Sequence, residues 1–156
     1  MELQTVEKKY GRSIAAFATT ECELMKLARR VIRCTEKSEG AKLELLFSLP
    51  GIYAMELCFG GAKIRLIKEG DVFRIMERSE KSSILLSVTV LDQDALKKLA
   101  LGKCTVNQCA AQGRLIYRGS TRFFCVFTRI CNEGDKALLS GGRYRSLYRT
   151  EKQENI

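Results

Sequence analysis

The sequence predicts a single α+β domain: one five-stranded, largely antiparallel sheet covered by helices. Three observations carry this reading. The chain is 156 residues long, one domain's worth and enough to bury about 70% of the surface its unfolded form exposes. It is 46% hydrophobic and 29% charged with one proline, Pro50, which excludes a disordered chain. Apolar residues recur at helical spacing, switch to alternation in mid-chain and then return to helical spacing, the pattern of one sheet with helices packed on it.

The elements follow in order. Residues 1–18 have weak periodicity and begin irregularly. Thr20 and Glu23 have capping-box spacing. Beyond them Leu24, Leu27, Ala28, Val31 and Ile32 share one helical face. Lys26, Arg29, Arg30, Arg33 and Lys37 lie opposite, on a face assigned to solvent. This predicts a helix over 20–37 that Gly40 ends. Residues 41–49 fit two readings, since Leu43, Leu45, Phe47 and Leu49 alternate as in a strand while the composition also suits a short helix. Pro50-Gly51 is a break.

Residues 52–59 and 62–68 read as a hairpin across Gly60-Gly61, whose glycines supply the positive φ of a tight turn. Gly70-Asp71 turns the chain into 72–77, and 83–90 is a further β-rich run, so four successive strands are expected to form a meander. Asp92 caps a helix over 94–101 that Gly102 stops. A short helix over 105–112 ends at Gly113, a fifth strand over 114–118 ends at Gly119, and Ser120 or Thr121 caps the last helix. That helix carries Phe123, Phe124, Phe127, Ile130 and Cys131. Residues 132–142 read as a polar loop with one helical turn at 137–140.

Histidine is absent beside seven cysteines. The commonest general base near neutral pH is thus missing, which excludes histidine-dependent hydrolases and imidazole zinc sites. The cysteines have no Cys-x-x-Cys spacing, and most sit among apolar neighbours. They read as reduced packing thiols of a cytoplasmic protein rather than as a metal or redox centre. Asp92 and Asp94 stand at a helix start, where capping explains them better than acid–base work. No metal, cofactor or enzyme activity is expected. No apolar run approaches the ~20 residues of a membrane span, and the N-terminus lacks a basic and then apolar leader.

The net charge of +9 is uneven, with residues 112–156 carrying nine basic and four acidic groups. Arg143, Arg145 and Arg149 crowd near the end with Tyr144 and Tyr148 between them. Such a run can meet an anionic membrane surface, can grip nucleic acid, or can be a solvated tail. No nucleic-acid motif accompanies it, so nucleic acid is the disfavoured partner.

The most informative block is 88–119. It runs through an acidic helix start to Gly102-Lys103, then a short helix to Gln112-Gly113-Arg114, then an alternating strand to Gly119. In order and spacing it resembles the sterol carrier protein 2 domain family. The resemblance covers about residues 20–131 and leaves 132–156 as a basic C-terminal extension of a single domain, 1–156. It implies a sterol-carrier-like sheet covered by helices and enclosing an apolar tunnel for a lipid or fatty acyl ligand, without catalysis. The tunnel lining it points to is Tyr53, Met55, Leu99, Val106, Ala110, Leu115, Tyr117, Phe123, Phe124, Phe127 and Ile130. For any one of these, filling a dry core is the competing reading. Three phenylalanines within 123–127 span more than one helix face, so at least one is expected to face a cavity, a partner subunit or a loop. The alternative function is a structural or regulatory module with the tunnel closed. It would act through protein partners or a homodimer, with exposed phenylalanines of the last helix as the interface.

Overall fold

The computed structural model describes residues 22–140. The expected cap at Thr20, the irregular start and the cationic residues Arg143, Arg145 and Arg149 lie outside them. Helix α1 covers 22–37 and buries Leu24, Leu27, Ala28 and Val31, the apolar face that periodicity gives it.

Gly40 does not terminate this helix. Ser38 interrupts it with an extended backbone, and its Oγ accepts from Ala41 N at 3.1 Å, opening α2, Glu39–Ser48. Gly40 instead lies inside α2, where a Cβ would come within 3.2 Å of Glu133 Oε2. Of the two readings of 41–49 the helix holds. It buries Ala41 and Leu45 and leaves Leu43, Leu46 and Phe47 exposed.

The strands are β1 (Tyr53–Phe59), β2 (Ala62–Glu69), β3 (Val72–Ile75), β4 (Ile84–Val90) and β5 (Leu115–Gly119). They form one mixed sheet in the order β3-β2-β1-β4-β5. The four-strand meander is therefore corrected: β1 to β3 form a meander, and β4 crosses back to pair with β1 in parallel. β5 closes the sheet antiparallel to β4. β1 is the central strand, which accounts for the burial of Ala54, Met55 and Leu57 along it. Alternation identifies a strand but says nothing of its neighbour, and the 76–83 connection is long enough to carry the chain across the hairpin.

Helix α3 (Gln93–Leu101) starts where Asp92 accepts from Ala95 N, and it ends at Gly102 with φ 72°. Helix α4 (Val106–Ala111) opens on a reciprocal capping box between Thr105 and Gln108. Helix α5, Thr121–Ser140, starts where Ser120 Oγ accepts from Phe123 N at 3.0 Å. The loop expected over 132–142 is corrected, because α5 runs on through Gly134 to Ser140. The glycine inside this helix serves packing. A Cβ on Gly134 would lie 2.1 Å from Cys34 Cβ, so α5 and α1 meet there almost backbone to backbone. The helices cover one face of the sheet, and their apolar faces share a single core with β1, β2 and β4.

Candidate functional site

Gly102 admits more than a left-handed cap. A Cβ there would meet Arg30 Nη2 at 2.1 Å, so the guanidinium of α1 lies against the C-terminal end of α3. Arg30 then reaches α5, where Nε and Nη2 donate to Asp135 Oδ1 at 3.1 and 2.7 Å. Both side chains are 19% exposed. One guanidinium thus ties together three helices distant in sequence.

Two spaces adjoin this pair. Outside it, α1 and α3 wall a cleft of about 440 Å³ lined by Glu23, Lys26, Arg29, Arg30, Arg33, Lys97, Ala100 and Leu101. Positions 23, 26, 30 and 33 recur at helical spacing, which brings their side chains onto one face. Lys26 pairs with Glu23 at 3.2 Å and Arg30 with Asp135. Among the described residues Arg29, Arg33 and Lys97 have no carboxylate partner. Part of the cationic face of α1 assigned to solvent therefore walls a concave site, with Ala100 and Leu101 as its apolar portion.

Inside the pair lies a cavity of about 20 Å³ lined by Leu27, Arg30, Val31, Cys34, Leu99, Cys104, Val106, Cys131 and Asp135. That is room for about one water molecule. Burial, aided by Asp135, pushes the Cys34 thiol up to about 12. Burial also raises the pKa of the buried Cys131 thiol.

Of the residues expected to line a tunnel, Leu99 and Val106 face this cavity. Met55, Leu115, Phe123, Phe127 and Ile130 are buried in the common core, with Tyr53 and Ala110 half-buried against it. Phe123 stacks on Phe73, with ring centroids 6.4 Å apart. Phe124 stacks on Tyr117, centroids 4.0 Å apart, at the sheet edge where Tyr117 is 36% exposed. The exposed phenylalanines of the last helix that the alternative reading takes as an interface are corrected, since all three are at least nine-tenths buried. Tyr117 absorbs the ring that points away from the core. The exposed apolar face lies instead on α2, where Phe47 is 72% exposed beside Leu43, Leu46 and the following Ile52.

Asp92 caps α3 as expected, while Asp94 in the first turn pairs with Lys98 at 3.0 Å. Arg114 donates to both, at 2.7 to 2.8 Å, and its guanidinium holds the Asp92 carboxyl well below the usual carboxylate range. Sequence reasoning missed Asp135 and the role of Arg30, because Asp135 falls in the segment taken for a loop. The signal was the recurrence of apolar residues at 127, 130, 131 and 138, which continues the helix past Gly134. It also missed Lys68, which is buried to 1% exposure on the inner face of β2. Its Nζ donates to Gly51 O at 2.7 Å, and desolvation lowers its pKa.

Among the described residues no cluster of His, Cys, Asp and Glu could hold a metal ion, and no helix is long and apolar enough to cross a membrane.

The chain resembles sterol carrier protein 2 domains in fold. It is similar to sterol carrier protein 2 from Yarrowia lipolytica at 17% identity and TM-score 0.42, covering 69% of this chain and 86% of that one. It is also similar to the UbiJ-SCP2 ubiquinone synthesis protein, at 15% identity and TM-score 0.46, covering 73% and 96%. A third likeness, to the sec-alkylsulfatase Pisa1 from Pseudomonas sp., has 15% identity and TM-score 0.42, and it spans 58% of this chain but only 14% of that one. No protein-family model and no curated protein matches the sequence. At these identities the likeness concerns the chain trace, and no ligand or activity passes with it.

Proposed function

We propose that this protein is a non-catalytic binding module for an amphiphile of the fatty acyl class that carries an anionic head. The observation that carries the reading is the cleft between α1 and α3, where unpaired cations stand over an apolar portion. A ligand site needs concave apolar surface and a few polar groups to orient the head. Ala100 and Leu101 supply the first, Arg29, Arg33 and Lys97 the second. Each buried methylene of the chain contributes about 0.8 kcal/mol, and each exposed charge pair about 0.5 kcal/mol.

The described cavity, at about 20 Å³, is far below the ~300 Å³ of a small-molecule site. In this reading a long acyl chain lies along the cleft, or enters the cavity by parting the Arg30–Asp135 pair that adjoins both. Titration of the full chain with oleate, followed by calorimetry, tests the reading. Micromolar binding is expected. The R29Q/R33Q/K97Q variant should lose roughly tenfold, three pairs at about 0.5 kcal/mol each. Absence of fatty acid binding, with no lipid co-purifying in native mass spectrometry, overturns it.

A second reading, a module acting through protein partners or self-association, is favoured by the exposed apolar face of α2. Leu43 and Leu46 or Phe47 are three and four residues apart on α2, and all three are exposed, apolar exposure of the kind that marks interaction surfaces. A stable dimer in light scattering that F47E dissolves would favour this reading over the first.

A further inference from the structure

The start of α4 holds two sulfurs in direct contact. Cys104 Sγ and Cys109 Sγ are 2.8 Å apart, both are buried, and both are free thiols. They flank the capping box of α4. Gln108 N donates to Thr105 Oγ1 at 3.1 Å, and Thr105 N donates to Gln108 Oε1 at 3.0 Å. With Thr105 as the cap, Cys104 precedes it and Cys109 is the fourth helical residue. These are the positions where an apolar pair closes a helix start as a staple. Here the staple consists of two thiols, and the capping box fixes the backbone on which both are carried.

We propose that Cys104 and Cys109 are a modification site, a reversible disulfide that makes this staple covalent. The oxidant is a hydroperoxide. Cys104, the more accessible of the two, reacts first as its thiolate. Its sulfur attacks one peroxide oxygen, the O–O bond breaks, and a sulfenic acid and one water form. The Cys109 sulfur then attacks the Cys104 sulfur, the S–S bond forms, and the hydroxyl leaves with the Cys109 proton as a second water. In sum two thiols and one hydrogen peroxide give one disulfide and two waters, and two equivalents of a small thiol reverse it. Burial and the neighbouring sulfur push the Cys109 thiol up to about 12, which fits it to the second step and not the first.

Cys34 and Cys131 are also buried and line the cavity that Cys104 walls, but the sulfur in contact with Cys104 is that of Cys109. Cys22 and Cys125 are exposed, and Cys58 lies by Glu56 and Ser87. Because Cys104 and Val106 both wall the cavity beneath Arg30, the bond would fix one side of that cavity. This site stands independently of the ligand reading.

The test uses the full chain and hydrogen peroxide. Lys103 and Arg114 bound a tryptic peptide, 104–114, that contains both cysteines and no other basic residue before its end. Peroxide treatment, maleimide blocking and digestion without reduction should return this peptide two hydrogens light and unlabelled. Prior reduction should return it doubly labelled. The oxidised protein should unfold at higher urea than the reduced one, and C109S should remove that shift while keeping the circular dichroism of the fold. If peptide 104–114 carries two labels at peroxide levels that oxidise Cys22 and Cys125, or if it is found linked to another peptide, the proposal is overturned.

Discussion

Replacing Gly134 by alanine sets two well-defined effects against each other. Gly134 is an interior residue of α5, and on propensity alone alanine gains about 1 kcal/mol. The new methyl, however, would lie 2.1 Å from Cys34 Cβ, 2.4 Å from its Sγ and 2.6 Å from its Cα. Carbon atoms rest at about 3.5 to 4.0 Å. No rotamer of Cys34 moves its Cα, so α1 and α5 must separate by more than about 1 Å. Overpacking of this kind costs about 1–3 kcal/mol. The helices it spreads also hold the Arg30–Asp135 pair, one residue beyond the contact on α5. With mid-range strain of about 2 kcal/mol against a propensity gain of about 1 kcal/mol, we expect G134A to be destabilised by about 1 kcal/mol. Urea unfolding followed by circular dichroism measures this as a lower midpoint with an unchanged slope. Cys34→Gly removes the Cβ and Sγ contacts, so in the G134A/C34G cycle the two effects should fall short of additivity by at least about 0.5 kcal/mol. A G134A protein as stable as the parent would refute the claim that α1 and α5 are in backbone contact here.

Further expectations concern charge. Arg74 pairs with Glu80 and Glu69, and its guanidinium holds the Glu80 carboxyl at about 2 instead of 4.5. A depressed carboxylate stabilises the fold above its unfolded value and loses that contribution as pH falls. The stability gap between the parent and R74M should therefore shrink as pH falls from 4.5 towards about 2. A gap independent of pH in that window would contradict it. Lys68 shows the opposite sign. Its desolvated ammonium has a lowered pKa, so folding is penalised below that value and relieved as pH rises towards 10.5. K68M, which removes the buried charge at similar volume, should equal or exceed the parent in stability at pH 7, and its advantage should narrow with rising pH. Pairwise denaturant titrations between pH 7 and 10.5 check this, and a constant difference would remove the buried charge as its cause.

Local signals in this chain were legible because they are short-range. Asp92 and Ser120 cap the helices that their spacing marks, and Gly102 ends its helix in the left-handed region as expected. The alternation of 52–59 and 62–68 likewise gave the hairpin. What failed required knowing a distant partner. Gly40 reads as a helix stop and Gly134 falls in a segment that reads as a loop, because nothing nearby reveals that each sits inside a helix, closely faced by a residue of another. The parallel pairing of β4 with β1 skips two strands, and strand periodicity is blind to that. The candidate site was half-legible. The cations of α1 stood out as a face, but the cleft needed α3, and the Arg30–Asp135 tie needed the continuation of α5. The ambiguity of 41–49 had a local answer in Ser38, whose side chain caps the helix three residues on.

The central position of β1 also bears on synthesis. β1, β2 and β3 are consecutive and pair through short turns, so they can assemble as soon as residue 75 is free. One side of β1 then remains an open edge until β4, Ile84–Val90, arrives. Its bare backbone amides and carbonyls, between Ala54, Met55 and Leu57, are a template for any strand nearby. During that interval the nascent chain is most exposed to joining its neighbours on a polysome. The parallel return of β4 thus serves, besides completing the sheet, as the step that ends this vulnerability.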